Sequence, residues 1–505
     1  MSEATFELLC AHQRETALLH SVAELLEWDE RTMMPSGAGR YRAEQVAYMS
    51  GLVHKRRTEP RVGEWLSELE GGPLARDPHS DAGATIRQLR RAYDKLVKVP
   101  ATLVEELTRT AVLGQQTWVE ARKHDDFRSF APVLEKIIRL KRQQAEAVGY
   151  SRCAYDALLD DYEPGATTAE IARVLGEFRE ELVLLVAAVA QSGRSPDLTI
   201  LRRHYPQAAQ ERFGQMAATT VGFDFQRGRL DVTHHPFCCE LGPDDCRITT
   251  RYDEHFFPSA FFGILHEAGH GLYDQGLRKE QYGLPPGSFV SLGIHESQSR
   301  MWENFVGRSA PFWQYFFPQA QQAFPLALSD VSREQFYFAI NDVRPSLIRV
   351  EADEATYNLH IIVRFELEQA LINDHCPVGD LPGAWRSKYR EYLGIEPPGD
   401  ADGVLQDVHW SAGLFGYFPT YSLGNLYAAQ FFEQADRELG GLEAPIAQGD
   451  FRGLLGWLRD KIHTPGQCYT AGELVQAVTG RPLSPGPLLH YLRRKFHDLY
   501  ELDGE

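Results

Sequence analysis

Apolar residues along most of this chain recur at the spacing of a helix rather than a strand. Phe130, Leu134, Ile137 and Leu140 follow one another at steps of four, three and three, which sets them on one helical face. Entry signals agree: Thr167 with Glu170 and Thr470 with Glu473 have capping-box spacing, and Ser484 precedes Pro485. Gly276 and Gly480 stand where a left-handed residue would end a helix. Strand character is confined to Leu230–Tyr252, where Cys246-Arg247-Ile248-Thr249-Thr250-Arg251-Tyr252 follows the turn-like Gly242-Pro243-Asp244-Asp245. The expectation is a mainly α fold with one small sheet. No repeat, low-complexity tract or Pro/Ser linker divides the 505 residues, so residues 1–505 are expected to form one unit with a helical amino-terminal portion over about 1–200.

Composition narrows the function. Lys and Arg number 52 against 70 Asp and Glu, and the net charge of -18 repels phosphate backbones and anionic lipid surfaces. Nucleic acid and membrane are not expected partners. The longest apolar stretch, Leu182–Ala190, is nine residues, whereas about 18 are needed to span a bilayer. The first residues lack the basic and apolar segments of a secretory signal. Seven cysteines are too sparse for a disulfide scaffold, so a cytoplasmic location is expected. Cys238 and Cys239 are adjacent, a spacing that serves tetrahedral metal ligation poorly.

The chemistry concentrates in His266-Glu267-Ala268-Gly269-His270, an H-E-x-x-H pattern on a predicted helix. Residues four apart stack on one helical face, so both imidazoles can reach one zinc while Glu267 projects beside them as general base. Gly263, Gly269 and Gly271 each cost about 1 kcal/mol in a helix interior, which implies close packing against the backbone. A catalytic zinc needs a third protein ligand. Tyr273 and Gly276 occupy the positions where a metzincin carries Gly and His, so the third ligand is expected on a following helix, a gluzincin-like arrangement. Glu296, 26 residues after His270, is that ligand by this reading. Glu303 and Asp274 are candidates to orient the imidazoles from behind. The set predicts metal-assisted hydrolysis, with peptide bonds as the usual target and residues 201–505 as the zinc-binding catalytic portion. Cobalt can replace zinc with such ligands.

Further patterns occur in order along the chain: His235-Pro236-Phe237, Asp245-Cys246-Arg247-Ile248-Thr249, His295-Glu296-Ser297-Gln298-Ser299-Arg300, Ile348-Arg349-Val350-Glu351-Ala352-Asp353, and Gly403-Val404-Leu405-Gln406-Asp407-Val408-His409-Trp410. With the zinc motif they make the chain resemble the carboxypeptidase Taq family of zinc metallocarboxypeptidases over nearly its whole length. The resemblance implies a mostly helical fold with a deep central groove, a homodimer, and removal of single residues from peptide carboxyl termini with broad specificity. Such an enzyme needs a fixed cation for the substrate's terminal carboxylate. Arg349 is the first choice and Arg247 the second, and the bland alternative for each is a buried pair with Asp353 or Asp245. His235 and His409 are expected to line the groove, with His409 close to the chemistry. Tyr421, in the glycine-rich run Gly413–Gly424, can donate its hydroxyl to an oxyanion, and Asp407 is expected to pair with a nearby histidine or arginine. Cys238, Cys239 and Cys246 depart from the small or aliphatic residues commoner at those places; thiols near the groove would bring sensitivity to oxidation or soft metals, and the bland alternative is three inert small side chains. An oligopeptidase with the same zinc chemistry and no carboxylate clamp is the nearest rival. A scaffold with a structural zinc is the other, but it has no use for Glu267.

Overall fold

The face drawn through Phe130, Leu134, Ile137 and Leu140 is buried along the helix Phe127–Val148. That pattern extends through the computed structural model, which describes residues 2–502 and is helical apart from one three-stranded sheet. Thr470 and Glu473 cap the helix Ala471–Thr479 reciprocally, and Gly480 ends it at φ 76°. Thr167 accepts from the backbone N–H of Glu170 at 3.3 Å, and Ser484 accepts from that of Gly486 at 3.2 Å. Gly276 does not take the expected left-handed conformation. It is small for a different reason: a Cβ there would run into the His463 ring.

The long helices Ser2–Thr32 and Gly39–Arg57 pack against each other at the amino terminus. A small apolar cluster of Leu9, Val62, Leu66, Leu69 and Ile86 ties the first of them to the helices Pro60–Glu70 and Asp81–Lys98. The main core draws residues from Ala121 to Tyr500 and contains the middle of the H-E-x-x-H helix, Phe257–Asp274. At the start of that helix Phe257 and Phe261 stack at 5.1 Å, with Phe213 and Trp313 each 5.2 Å from Phe261. Fully burying such a side chain is worth about 1.5–3 kcal/mol, so this aromatic layer fixes the helix that carries both histidines. Among the described residues no helix is long and apolar enough to cross a membrane.

The strands β1 (Gly228–Val232), β2 (Cys238–Gly242) and β3 (Asp245–Thr250) lie in the order β1-β3-β2, within two residues of the expected Leu230–Tyr252. β1 runs parallel to β3, and β2 runs antiparallel to it through a tight turn in which Asp244 has φ 76°. The sheet packs on the H-E-x-x-H helix. The next α-helix, Leu292–Arg300, packs on that helix and is backed along its length by the helix Pro419–Leu439.

Candidate active site

His266 and His270 stand one turn apart with rings 5.0 Å from each other, and the helix Leu292–Arg300 brings Glu296 to them. Oε2 of Glu296 lies 3.7 Å from Nε2 of His266 and 3.4 Å from Nε2 of His270. A tetrahedral zinc with ligands at about 2.0–2.1 Å has its ligand atoms about 3.4 Å apart, so the donor set fits that ion. Two glycines permit the approach. A Cβ at Gly269 would lie 2.6 Å from the carbonyl oxygen of Gln298, and one at Gly424 would lie 2.7 Å from Cβ of Glu296. Gly263 has no such role: the nearest atom to a Cβ there, Oγ1 of Thr250, is at an ordinary 3.7 Å.

Each imidazole is held from behind. Nδ1 of His266 is 2.9 Å from Oε2 of Glu303, on a π-helical turn, Met301–Val306, that continues the Glu296 helix. Nδ1 of His270 meets Nδ1 of His295 at 2.5 Å, and Nε2 of His295 meets Oδ1 of Asp274 at 2.9 Å. Asp274 therefore reaches His270 through a second histidine. Arg300 spans both carboxylates, with Nε 2.7 Å from Oε1 of Glu296 and Nη1 3.2 Å from Oε2 of Glu303. Burial alone would raise these carboxyls, but Arg300 outweighs it, aided by the histidines. Glu296 is held well below the usual range and Glu303 is brought down to about 2. Glu267 lacks such a cation, and burial pushes it up to about 7. The motif histidines remain accessible, with side chains 20% and 15% exposed.

A wall of arginine and aromatic groups lies next to this cluster. Arg349, 6% exposed, donates from Nε to Oδ1 of Asp407 at 2.9 Å and from Nη1 to the Tyr357 hydroxyl at 3.1 Å. Arg364 donates to the other oxygen of Asp407 at 2.6 Å. Two guanidiniums share one carboxylate, which leaves one positive charge in this trio. Tyr357 joins the wall to the histidine and glutamate cluster, with Arg300 stacked 4.5 Å from its ring. Tyr421 is one turn before Gly424 on its helix, its ring 5.2 Å from the Arg349 guanidinium and its hydroxyl 3.3 Å from Nε2 of His409. Burial lowers the His409 imidazole to about 4, so it is neutral at pH 7.

A family model described as carboxypeptidase Taq (M32) metallopeptidase matches residues 8–496. The chain belongs to the carboxypeptidase Taq family. It is 50% identical over 507 residues to thermostable carboxypeptidase 1 of Thermus thermophilus, with 99% of each chain covered. Carboxypeptidase 1 of Bacillus subtilis is 38% identical, with 95% of each chain covered. Among solved structures, the M32 carboxypeptidase of Deinococcus radiodurans R1 superimposes with a TM-score of 0.95 at 40% identity, covering 99% of this chain and 100% of that one.

In this carboxypeptidase Taq family chain, not every residue singled out from the sequence joins the cluster. Arg247 is committed to Asp245 by two bonds of 2.8 Å and lies 4.2 Å over the Trp28 ring. His235 is exposed ahead of β2. Arg349 pairs with Asp407 instead of the nearby Asp353, which caps the helix Thr356–Ile372 by accepting from the backbone N–H of Thr356 at 2.9 Å. Sequence reasoning gave no role to His295, Arg300, Tyr357 or Arg364. For His295 and Arg300 a signal existed, since they stand one residue before and four after Glu296.

Proposed function

We propose that this metallocarboxypeptidase removes single amino acids from the carboxyl termini of peptides with broad specificity. His266, His270 and Glu296 hold a zinc ion, for which cobalt can substitute, and Glu267 acts as general base. The observation that carries the reading is the adjacency of two dissimilar devices: a partly buried donor triad with a base on the helix of its two histidines, and an arginine wall with one charge left over. The metal, when bound, supplies Lewis acidity that acidifies a water and polarises the scissile carbonyl.

The chain's own groups supply the rest. Arg349 holds the terminal carboxylate of the peptide, and its remaining positive charge selects substrates that end in a free acid. Asp407 and Tyr357 fix its fork in place, so little orientational freedom is lost on binding. Glu267, raised toward neutrality by burial, takes a proton from the attacking water and passes it to the leaving amine. The Tyr421 hydroxyl and the neutral His409 imidazole donate to the oxyanion that develops on the carbonyl. Arg247 and His235, outside these two clusters, are left as secondary candidates for contact with the peptide. Residues 1–505 act as one catalytic unit. The family resemblance adds a homodimer, and the seven free thiols fit a cytoplasmic location.

A mass-spectrometric time course on an unblocked ten-residue peptide and its carboxyl-amidated twin tests the proposal. A ladder losing one carboxyl-terminal residue at a time from the free acid, with the amide untouched, is expected. Internal fragments from both peptides would establish an oligopeptidase instead.

A further inference from the structure

Behind the H-E-x-x-H helix, on the side facing the sheet, lies a second group of metal-ligating side chains. Cys238 of β2 and Cys246 of β3 are eight residues apart in sequence, yet their Sγ atoms are 3.6 Å apart. Oδ2 of Asp274, at the end of the helix, lies 3.5 Å from Sγ of Cys238 and 3.9 Å from Sγ of Cys246. One ligand atom from each of the three residues falls within 4.8 Å of the other two. The adjacent pair Cys238 and Cys239 cannot converge in this way, because successive residues of a strand point to opposite faces. Strand register does what adjacency does not: Glu240 is opposite Cys246, which sets Cys238 diagonally across from it on the same face.

The spacing is informative. It is far too long for a disulfide, in which the sulfurs are about 2.05 Å apart. A tetrahedral cation with sulfur at about 2.3 Å and a carboxylate oxygen at about 2.1 Å requires edges of about 3.8 Å between sulfurs and about 3.6 Å between sulfur and oxygen. The observed distances of 3.6, 3.5 and 3.9 Å match those edges to within about 0.3 Å. Both Cys246 and Asp274 are buried, at 3% and 8% exposure. Gly271 keeps the sheet close, since a Cβ there would lie 2.5 Å from Phe223 and 3.2 Å from Sγ of Cys246. Glu240, on the same face of β2 as Cys238, shares with Asp274 a narrow cleft bordered by Arg278 and Tyr282.

We propose that Cys238, Cys246 and Asp274 form a second metal site for a soft divalent cation of the zinc and cadmium class, with Glu240 lining the cleft beside it. Two thiolates select for softness, and the Asp274 carboxylate brings the ligand charge above that of the ion. Binding exchanges both thiol protons for the cation and releases them to solvent. Asp274 links the two centres, because its other oxygen is the one that meets His295 behind His270. The new site does not depend on the proposed peptidase reaction, and its test reads thiolate ligation directly.

The test is a cadmium titration of the enzyme carrying one equivalent of zinc, followed by ultraviolet absorbance. A thiolate-to-cadmium charge-transfer band that saturates at one further equivalent is expected. It should persist in Cys239→Ser and be absent from the Cys238→Ser/Cys246→Ser double variant. Cadmium that exchanges into the histidine and glutamate site gives no such band, so the two centres are told apart. No thiolate band in the native enzyme, or an equal band in the double variant, would overturn the proposal. If the double variant does not fold, Cys238→Ser alone suffices: cadmium binding about tenfold weaker or more supports the site, and unchanged binding refutes it.

Discussion

Nδ1 of His266 donates to Oε2 of Glu303 over 2.9 Å, which fixes the proton on that nitrogen and leaves Nε2 with the lone pair a metal needs. Glu303 is itself kept ionised by Arg300, so the bond is charge-assisted. Glu303→Ala is therefore expected to weaken metal binding by about 10- to 100-fold while leaving the helices in place. Competition with a chromophoric chelator measures the change. An affinity equal to that of the native protein would show that Glu303 does not tune the ligand.

Glu267 is beside the two histidines without being one of the converging donors. Replacing it with glutamine keeps the volume and removes the base. The expected outcome is full metal content with turnover lower by about 10²- to 10⁴-fold. Metal analysis and peptide hydrolysis on the same sample are the check, and loss of metal together with the fold would assign Glu267 a structural role instead.

The unbalanced charge shared by Arg349, Arg364 and Asp407 makes a prediction about substrate ends. Arg349→Ala should cost about 2–5 kcal/mol in kcat/KM against peptides with a free carboxyl terminus, mostly in KM, and little against amidated ones. Lysine at 349 should restore only part of the loss, because it lacks the planar fork. Equal losses on both substrates would remove Arg349 from recognition.

Glu163 is fully buried beneath the Glu296 helix, where its oxygens accept from Ser291 at 3.0 Å, Tyr427 at 2.9 Å and the backbone N–H of Gly293 at 3.1 Å. Burial outweighs those donors and raises its carboxyl from 4.5 to about 7. Between those two values the native state binds more protons than the unfolded chain, so stability falls as pH rises across the window. Below it both states are protonated, and above it both are ionised. Urea melts from pH 4 to 8 should show this decline, at most about 1.4 kcal/mol per pH unit from this group, and Glu163→Gln should flatten it.

Short-range geometry made much of this readable in advance. Two histidines four apart need only a helix to face the same way, and a zinc with two protein ligands demands a third, which directed attention to Glu296. Pairings set by tertiary structure were not visible. The sequence offers Asp353, four residues from Arg349, only as the partner of a buried pair, and expects Asp407 to meet some histidine or arginine; that the arginines are Arg349 and Arg364, 58 and 43 residues away, is set by the fold. The glycines divide similarly: Gly269 is required by the helix packed on it and Gly263 is not, a difference that depends on which chain passes overhead. The thiol pair was hidden for a third reason, since convergence of Cys238 with Cys246 depends on strand register and not on spacing along the chain.

The three donors of the proposed metal site come from two helices packed on each other, not from one. A cation gripped there is also a fastener between segments that would otherwise separate on unfolding. Metal supply thus enters the folding equilibrium as a concentration variable, adding about 1.4 kcal/mol for each tenfold rise in free ion above its dissociation constant. Stripping the ion with a chelator should lower the melting temperature as well as stop catalysis, and readdition should restore both together. For this chain, scarcity of metal would act on how long the molecule survives as well as on how fast it works.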